Sequence, residues 1–209
     1  MLNKEYINGV YLVIGESACG GKDLESIVEA SLHAGLCCVQ LREKEADTRT
    51  FLNRAKALKS ILKGTGIPFL INDRIDIALA AQADGVHIGQ SDMPYETARR
   101  LLGPQAIIGL SVESWDDVKT AQNLDVSYLG VSPVFDTPTK TDTKTAWGLE
   151  GLSRIRKASK HPLVAIGGID KENARQVVQA GAHAIAVVSA ICSAANPEEA
   201  TRALNQAGF

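Results

Sequence analysis

Residues 163–188 read LVAIGGIDKENARQVVQAGAHAIAVV, and this stretch contains the repeating unit of the chain. It begins with a short apolar run (163–166), continues with apolar residues at helical spacing (174–180) and ends, after Gly181, in a second apolar run (184–188). Both runs are apolar throughout instead of alternating with polar residues, which is typical of parallel strands covered by helices. The stretch therefore predicts a strand–helix–strand unit of an α/β protein.

The same pattern recurs along the whole chain. The candidate strands are the apolar runs at residues 10–14, 38–42, 69–72, 85–88, 107–111, 128–131, 163–166 and 184–188. The candidate outer helices include the amphipathic segments at 24–34, 51–62, 94–102, 174–180 and 198–204. Eight such units are the number that closes a barrel. We predict one α/β domain, a single (β/α)8 TIM barrel over residues 1–209, with an open doubly wound sheet as the alternative.

Composition limits the classes of function. The chain has 22 Lys and Arg against 24 Asp and Glu, so no global charge attracts nucleic acid or an anionic membrane, and an anion must be bound locally. No apolar run approaches the roughly 18 residues of a membrane span. Cysteine spacing indicates neither a zinc site nor a disulfide framework, and residues 15–21 lack the dinucleotide-binding spacing. We expect a cytoplasmic protein that binds neither nucleic acid nor a membrane.

Cationic and amide side chains follow the second candidate strand. In barrels of this kind the reacting groups lie on the loops that leave the C-terminal ends of the strands. The strand ends in Gln40-Leu41-Arg42-Glu43-Lys44, and a period of two sends Gln40, Arg42 and Lys44 toward the same side. Arg and Lys at this position suit phosphate oxygens. The alternative is a salt-bridged strand end involving Glu43 and Glu45.

Carboxylates follow the next two candidate strands. Asn72 and Asp73 end the third, and Asp92 comes shortly after the fourth. Each of these residues could instead cap the helix that follows it. Two carboxylates on adjacent loops, facing cations and an amide, are a ligand set for Mg2+, which takes its remaining oxygens from water and phosphates. We therefore predict a site for a diphosphate with Mg2+.

Two further polar residues lie in the fourth and fifth candidate strands. His87 could point into the barrel or against a helix, and we favour a role in the core. Ser111 ends its strand with no base beside it in the sequence. We therefore expect Ser111 to form a hydrogen bond with a substrate and not to act as a nucleophile.

The later loops have the composition of a phosphate site. Residues 135–145 contain five threonines and two lysines, which suits a loop that closes over phosphate oxygens, although a plain solvated loop is the alternative. Gly167-Gly168 would let the backbone approach a ligand, and a short helix beginning at Ser189 would direct its N–H groups to the same place. Barrels often build a phosphate site from these last two loops.

Taken together, the motifs resemble those of the thiamine phosphate synthase family along nearly the whole chain. Their order and spacing carry the resemblance. The motifs are QLREK (40–44), INDR (71–74), DGVHIGQSD (84–92), IGLS (108–111), TPTKTD (137–142), IGGI (166–169) and Val188-Ser189. Residues 141–145 and Val188 depart from the typical pattern without removing a required charge.

The resemblance implies a transferase that couples a pyrimidine diphosphate with hydroxyethylthiazole phosphate, or its carboxylated form, to give thiamine phosphate and diphosphate. It implies the following sites: Gln40, Arg42, Lys44, Asn72, Ser111 and Lys140 for the pyrimidine diphosphate; Asp73 and Asp92 for Mg2+; Thr137, Thr139, Gly168, Val188 and Ser189 for the thiazole phosphate. Catalysis would then depend on Arg42, Lys44, Lys140 and Ser111, with no protein nucleophile.

Two rival functions remain at this point. A thiazole tautomerase of the same superfamily would share the barrel but would not need the residues that bind diphosphate, all of which are present. A non-catalytic sensor of a phosphate ligand would give both carboxylates no task. Small-molecule substrates are thus the expected partners, and the protein could form a homo-oligomer.

Overall fold

A closed parallel barrel forms the centre of the protein. The computed structural model describes residues 7–136 and 146–209. Within them, eight strands pair in chain order and β8 pairs with β1. The strands are β1 (Gly9–Ile14), β2 (Leu36–Leu41), β3 (Phe69–Asn72), β4 (Gly85–Ile88), β5 (Ile107–Val112), β6 (Tyr128–Val131), β7 (Leu163–Ile166) and β8 (Ala184–Val187). The predicted (β/α)8 barrel is confirmed, and the open sheet is ruled out.

Helices surround the strands. They are α1 (Leu24–Leu32), α2 (Thr48–Ile61), α3 (Ile75–Ala80), α4 (Tyr95–Leu102), α5 (Trp115–Ala121), α6 (Gly148–Ala158), α7 (Ala174–Gln179), α8 (Ser189–Cys192) and α9 (Pro197–Asn205). Helix α2 begins three residues before its predicted start at residue 51. The cause is Asp47, whose carboxylate accepts hydrogen bonds from the N–H groups of Arg49 and Thr50 and so caps the helix. No helix in the described ranges is long and apolar enough to cross a bilayer.

The barrel has two apolar cores. The larger lies between strands and helices and includes Leu12, Leu41 and Ile71. The smaller fills the barrel and includes Tyr11 and Tyr128. Because successive side chains of a strand point to opposite faces, every strand except β4 contributes to both cores. This alternation also directs the polar residues near the strand ends into the barrel, where Gln40 and Asn72 are buried.

Arg42 follows directly after β2 and is still held in the barrel wall. It was predicted as the last residue of the strand, which ends at Leu41, but its N–H donates to the Ile14 carbonyl at 2.7 Å. Gly15 makes this approach possible, since a Cβ there would lie 2.1 Å from the Arg42 oxygen. The first loop is therefore packed against the backbone of Arg42.

The four cysteines, Cys19, Cys37, Cys38 and Cys192, are free. Burial raises the pKa of Cys37 and of Cys192 to about 12. Because only the thiolate is a good nucleophile or metal ligand, these two thiols are structural at neutral pH.

Candidate active site

The C-terminal ends of the strands, which we call the mouth of the barrel, surround a cavity of about 350 Å³. This first cavity is lined by the polar residues predicted from β2 to β5. They are Gln40, Arg42, Lys44, Asn72, Asp73, Asp92 and Ser111. The structure therefore brings together, at one end of one barrel, all the described residues that the sequence assigns to the pyrimidine diphosphate and to Mg2+.

Two carboxylates and a lysine lie together on one side of the first cavity. Lys44 Nζ is 2.5 Å from Asp73 Oδ2. Burial is the main cause of a raised pKa at Asp73; neighbouring Asp92 raises it further, whereas Lys44 lowers it. Asp73 also has a positive φ of 61°, a conformation that is uncommon outside glycine. The pair of acids is thus held in a partly desolvated place where a cation would stabilise both.

Neither aspartate caps a helix. Helix α3 has Arg74 at its N-cap and α4 has Pro94, in both cases without a side-chain capping bond. Asp92 Oδ2 instead accepts from the Gly89 N–H at 2.7 Å within its own loop. The capping alternative considered for these residues is therefore wrong.

The alternative of a salt-bridged strand end is wrong for Arg42. Glu43 does form a salt bridge, but with a residue of α2 and not with the cations of its own strand. Glu43 Oε1 pairs with Arg54 of α2 at 3.1 Å, and Arg54 also binds Glu16 at 3.1 Å. Within residues 7–136 and 146–209, Arg42 forms no salt bridge with a carboxylate. Its guanidinium charge is therefore not neutralised by the residues that the structure describes.

A second cavity, of about 310 Å³, adjoins the first at the ends of β7 and β8. Gly168, Val188 and Ser189 line it, as predicted for the thiazole phosphate site, and Ser189 begins the expected short helix, α8. The two cavities share Val13, Arg42, Ser132, Ile166 and Ala186. Two ligands bound at the mouth would consequently meet beside Arg42.

Gly167 and Gly168 are required by packing as well as by backbone conformation. A Cβ on Gly167 would lie 2.7 Å from Pro133 Cβ, and one on Gly168 would lie 2.8 Å from the Asp136 carbonyl oxygen. Both residues have positive φ. The pair was predicted to let the backbone approach a ligand, and in the structure it also gives space to the segment after β6.

Of the two directions considered for His87, the structure has the one into the barrel, where the ring stacks on Tyr128 and lines the first cavity. Its Nε2 lies 2.8 Å from Ser111 Oγ and its Nδ1 lies 2.9 Å from the Tyr128 hydroxyl. Ser111 thus has a histidine beside it in space that its sequence neighbours did not show. The other ring nitrogen meets a tyrosine hydroxyl, where a Ser-His-Asp triad has a carboxylate, which agrees with Ser111 as a hydrogen-bonding residue.

Glycines inside two strands were the missed signal for His87 and Tyr128. A Cβ on Gly109 would lie 2.1 Å from the Tyr128 ring, and one on Gly130 would lie 2.7 Å from the His87 ring. Glycine within a strand often marks a close approach of another group. Gly109 and Gly130 therefore predict that large side chains from other strands enter the barrel at this level.

Comparison with known proteins agrees with this geometry. The model of a family described as thiamine monophosphate synthase matches residues 10–191. A thiamine-phosphate synthase of Albidiferax ferrireducens is 56% identical over 197 residues, which cover 94% of this chain and 90% of that protein. One from Leptospira biflexa is 53% identical over 208 residues, 98% of each chain. The solved thiamine phosphate pyrophosphorylase from Pyrococcus furiosus has a TM-score of 0.88 and 36% identity, covering 98% of this chain and 97% of that one.

The chain belongs to the thiamine monophosphate synthase family. The resemblance stated from the motifs is confirmed.

Three site residues that the family resemblance implies, Thr137, Thr139 and Lys140, lie outside the described residues. The segments on either side of them are held at the mouth. Phe135 N–H donates to the Gly167 carbonyl at 3.1 Å, and Trp147 N–H donates to the Pro133 carbonyl at 2.9 Å. The chain thus leaves and re-enters the described structure beside the second cavity.

Proposed function

We propose that this protein is a thiamine phosphate synthase, which couples 4-amino-2-methyl-5-hydroxymethylpyrimidine diphosphate with hydroxyethylthiazole phosphate, or its carboxylated form. The products are thiamine phosphate and diphosphate, with carbon dioxide in addition when the thiazole carries the carboxylate. Membership of the family supports the proposal, and one structural observation carries it. Two cavities of different chemistry adjoin at Arg42, as a reaction that joins two phosphorylated substrates requires.

The diphosphate would bind at the side of the first cavity formed by β2, β3 and β4. Arg42 and Lys44 supply positive charge, and Asn72 supplies an amide from a buried position. Lys140 is assigned to the same group on the family motif alone. Cations placed beforehand where negative charge develops are among the strongest contributions to catalysis.

We assign Mg2+ to Asp73 and Asp92. The described residues contain no cluster of three or more His, Cys, Asp or Glu side chains suited to a metal, so two carboxylates are what this site offers. Mg2+ is commonly held by one or two carboxylates, with substrate phosphates completing its shell. The raised pKa of Asp73, caused by burial and by neighbouring Asp92, fits a place that a cation would stabilise. When bound, the metal would stabilise the charge of the departing diphosphate.

The thiazole phosphate would bind in the second cavity. The first N–H groups of any helix have no partner within the helix, so those of Ser189 and Ala190 remain for phosphate oxygens. Gly168 adds backbone groups, and Val188 lines the wall. Thr137 and Thr139 are assigned here from the family motif.

The chemistry then needs no protein nucleophile. The bond from the pyrimidine methylene carbon to the diphosphate oxygen breaks, and its electron pair leaves with the diphosphate. The thiazole nitrogen donates its lone pair to the resulting cation. Arg42, Lys44 and Lys140 would lower the cost of the first step, while the shared wall of the two cavities holds the thiazole close to the cation.

A coupling assay tests the proposal. Purified protein is incubated with both substrates and Mg2+, and thiamine phosphate is detected by its fluorescence after oxidation. We expect product only when both substrates and the metal are present. Omission of each substrate and addition of a chelator are the controls. Absence of product in the complete mixture would overturn the assignment.

Binding measurements separate this function from that of a thiazole tautomerase. We expect binding of the pyrimidine diphosphate to tighten with Mg2+, and Asp92→Asn to lose that dependence. A tautomerase would show no metal-dependent affinity for the pyrimidine. Arg54→Gln, which removes a charge outside the first cavity, is a matched control that keeps the dependence.

We also propose that residues 1–209 form one domain. Helix α9 packs against α1 and β1, so the last described helix covers the first strand of the barrel. A division of the chain into two domains would have to separate α9 from α1 and β1.

A further inference from the structure

Five polar side chains cross the interior of the barrel beneath the first cavity, each hydrogen-bonded to the next. They come from five strands. The successive contacts are Gln40 Nε2 to the Tyr11 hydroxyl at 2.6 Å, Tyr11 to the Tyr128 hydroxyl at 2.9 Å, Tyr128 to His87 Nδ1 at 2.9 Å, and His87 Nε2 to Ser111 Oγ at 2.8 Å. We call this set the tyrosine–histidine chain. It connects two residues that line the cavity from different strands, Gln40 and Ser111.

The first bond favours one direction for the others. The Gln40 amide nitrogen can only donate, so the Tyr11 oxygen accepts. Burial raises the pKa of Tyr11 far above its ordinary value, so this hydroxyl keeps its hydrogen and can donate it to Tyr128. In this direction, Tyr128 donates its own hydrogen to His87 Nδ1.

This direction determines the tautomer of His87. A ring nitrogen that accepts carries no hydrogen, so a neutral His87 has its hydrogen on Nε2 and donates it to Ser111. Ser111 keeps its hydroxyl hydrogen for another acceptor. At the opposite end, the Gln40 amide oxygen keeps its capacity to accept. One end of the chain is thereby made a donor toward a ligand, and the other an acceptor.

Burial makes the direction persistent. Gln40 is 4% exposed, Tyr11 is 1% exposed and Tyr128 is fully buried, so water does not readily exchange with these partners. Successive hydrogen bonds in surroundings of low polarity also polarise one another. The rings of Tyr128 and His87 fit at this level only because Gly109 and Gly130 leave space for them.

We propose that the tyrosine–histidine chain holds His87 in the Nε2–H tautomer and couples Gln40 to Ser111, so that the two ends recognise the aminopyrimidine ring as one unit. This rests on the proposed function. An aminopyrimidine offers an amino group that donates and ring nitrogens that accept, which complements an amide oxygen at one end and a hydroxyl hydrogen at the other. Tyr11, Tyr128 and His87 are positioning residues in this scheme.

Nitrogen NMR of the ligand-free protein tests the tautomer. Protein labelled with 15N-histidine distinguishes Nδ1–H from Nε2–H, and the His87→Gln variant assigns the signals. We expect Nε2–H in the wild type and a mixture of tautomers in Tyr128→Phe. Tyr11→Phe, one bond further from His87, should also give a mixture and serves if Tyr128→Phe does not fold. Tyr95→Phe, whose hydroxyl binds the Asp125 carbonyl on the outside of the barrel, is the matched control and should leave His87 unchanged.

A wild type with Nδ1–H at His87 would overturn the proposal. So would Tyr11→Phe and Tyr128→Phe variants that both keep the wild-type tautomer. These outcomes need no substrate and hold whether or not the protein makes thiamine phosphate.

A double-mutant cycle tests the coupling during catalysis. Gln40→Met and Ser111→Ala are made singly and together, and kcat/KM for the pyrimidine diphosphate is measured. Side chains in one network depart from additivity by roughly two-fold or more, and we expect at least about three-fold here. In a Tyr128→Phe background the departure should vanish, while KM for the thiazole phosphate stays constant. An active wild type with an additive cycle would overturn the coupling; a wild type that forms no product would overturn the proposed function instead.

Discussion

The two ends of the barrel carry similar polar side chains but use them differently. At the N-terminal end, Asp84 accepts a hydrogen bond from Phe69 N–H at 2.8 Å and pairs with Lys59 at 2.9 Å. His183 Nδ1 accepts from Leu163 N–H at 3.0 Å. These side chains complete the backbone where a strand begins. At the mouth, Asp73 is instead held beside Asp92, with a raised pKa.

The difference separates stability from function. A polar side chain that satisfies the backbone lowers the free energy of the fold, whereas one that faces a cavity keeps its bonding capacity for a ligand. In barrel enzymes the active site lies at the C-terminal face, and residues of the opposite face serve stability. Substitutions at the two ends should therefore change different measurements.

The largest effect is expected for Arg42→Gln. Arg42 borders both cavities, and loss of one preorganised charge typically costs about 10² to 10³ in rate. We expect kcat/KM to fall by about 10³, with the free energy of unfolding within about 0.5 kcal/mol of the wild type. Steady-state kinetics and urea unfolding measure the two. A variant that keeps its rate would remove Arg42 from the reaction.

A slightly smaller loss of activity is expected for Asp73→Asn, together with a gain in stability. Activity should fall about 10²-fold. Because burial and neighbouring Asp92 raise the pKa of Asp73, its charged form is less favourable in the folded protein than in the unfolded chain. Replacement by a neutral amide should therefore raise the Tm of the metal-free protein. A lower Tm would show that the bond to Lys44 outweighs burial and repulsion.

Asp84→Ala sharpens the comparison from the other end of the barrel. The variant leaves Phe69 N–H without its acceptor and Lys59 without its partner. We expect the free energy of unfolding to fall by about 1–2 kcal/mol, measured by urea unfolding. The kcat/KM of the folded variant should equal that of the wild type. A large loss of kcat/KM would contradict the assignment of this end to stability.

The same distinction explains what could be predicted from the sequence. Apolar runs are local, so β3, β4, β6 and β7 match their predicted bounds. The convergence of Gln40, Arg42 and Lys44 followed from the period of two within one strand. In contrast, the contact of Lys44 with Asp73 depends on how two loops meet, which no local pattern encodes.

The tyrosine–histidine chain could not be predicted from the sequence for a related reason. The direction of His87 is a property of its strand, but its partners, Tyr128 and Ser111, are set by the closed order of the strands. Only Gly109 and Gly130 indicated these contacts, because the ring of Tyr128 from β6 and the ring of His87 from β4 occupy the space that their side chains would fill. Reading such glycines together with the strand order would have predicted the contacts.

The smallest effect concerns pH and again lies at the N-terminal end. Burial, with a smaller contribution from Arg156, lowers the pKa of His183 below its ordinary 6.5. Since the folded state disfavours the proton that the unfolded state accepts, the contribution of this residue is complete above pH 6.5. It is lost as the pH falls through the lowered pKa. The neutral ring is also the form that accepts from Leu163 N–H.

Comparison with His183→Gln isolates this contribution. The difference in free energy of unfolding between wild type and variant should be largest above about pH 7 and shrink toward about pH 5, within the range where histidine titrates. Urea unfolding at each pH gives the difference, and subtraction removes groups common to both proteins. If the His183→Gln difference instead grew as the pH fell, the charged ring would be the stabilising form, and the N-terminal end would hold a charge as the mouth does.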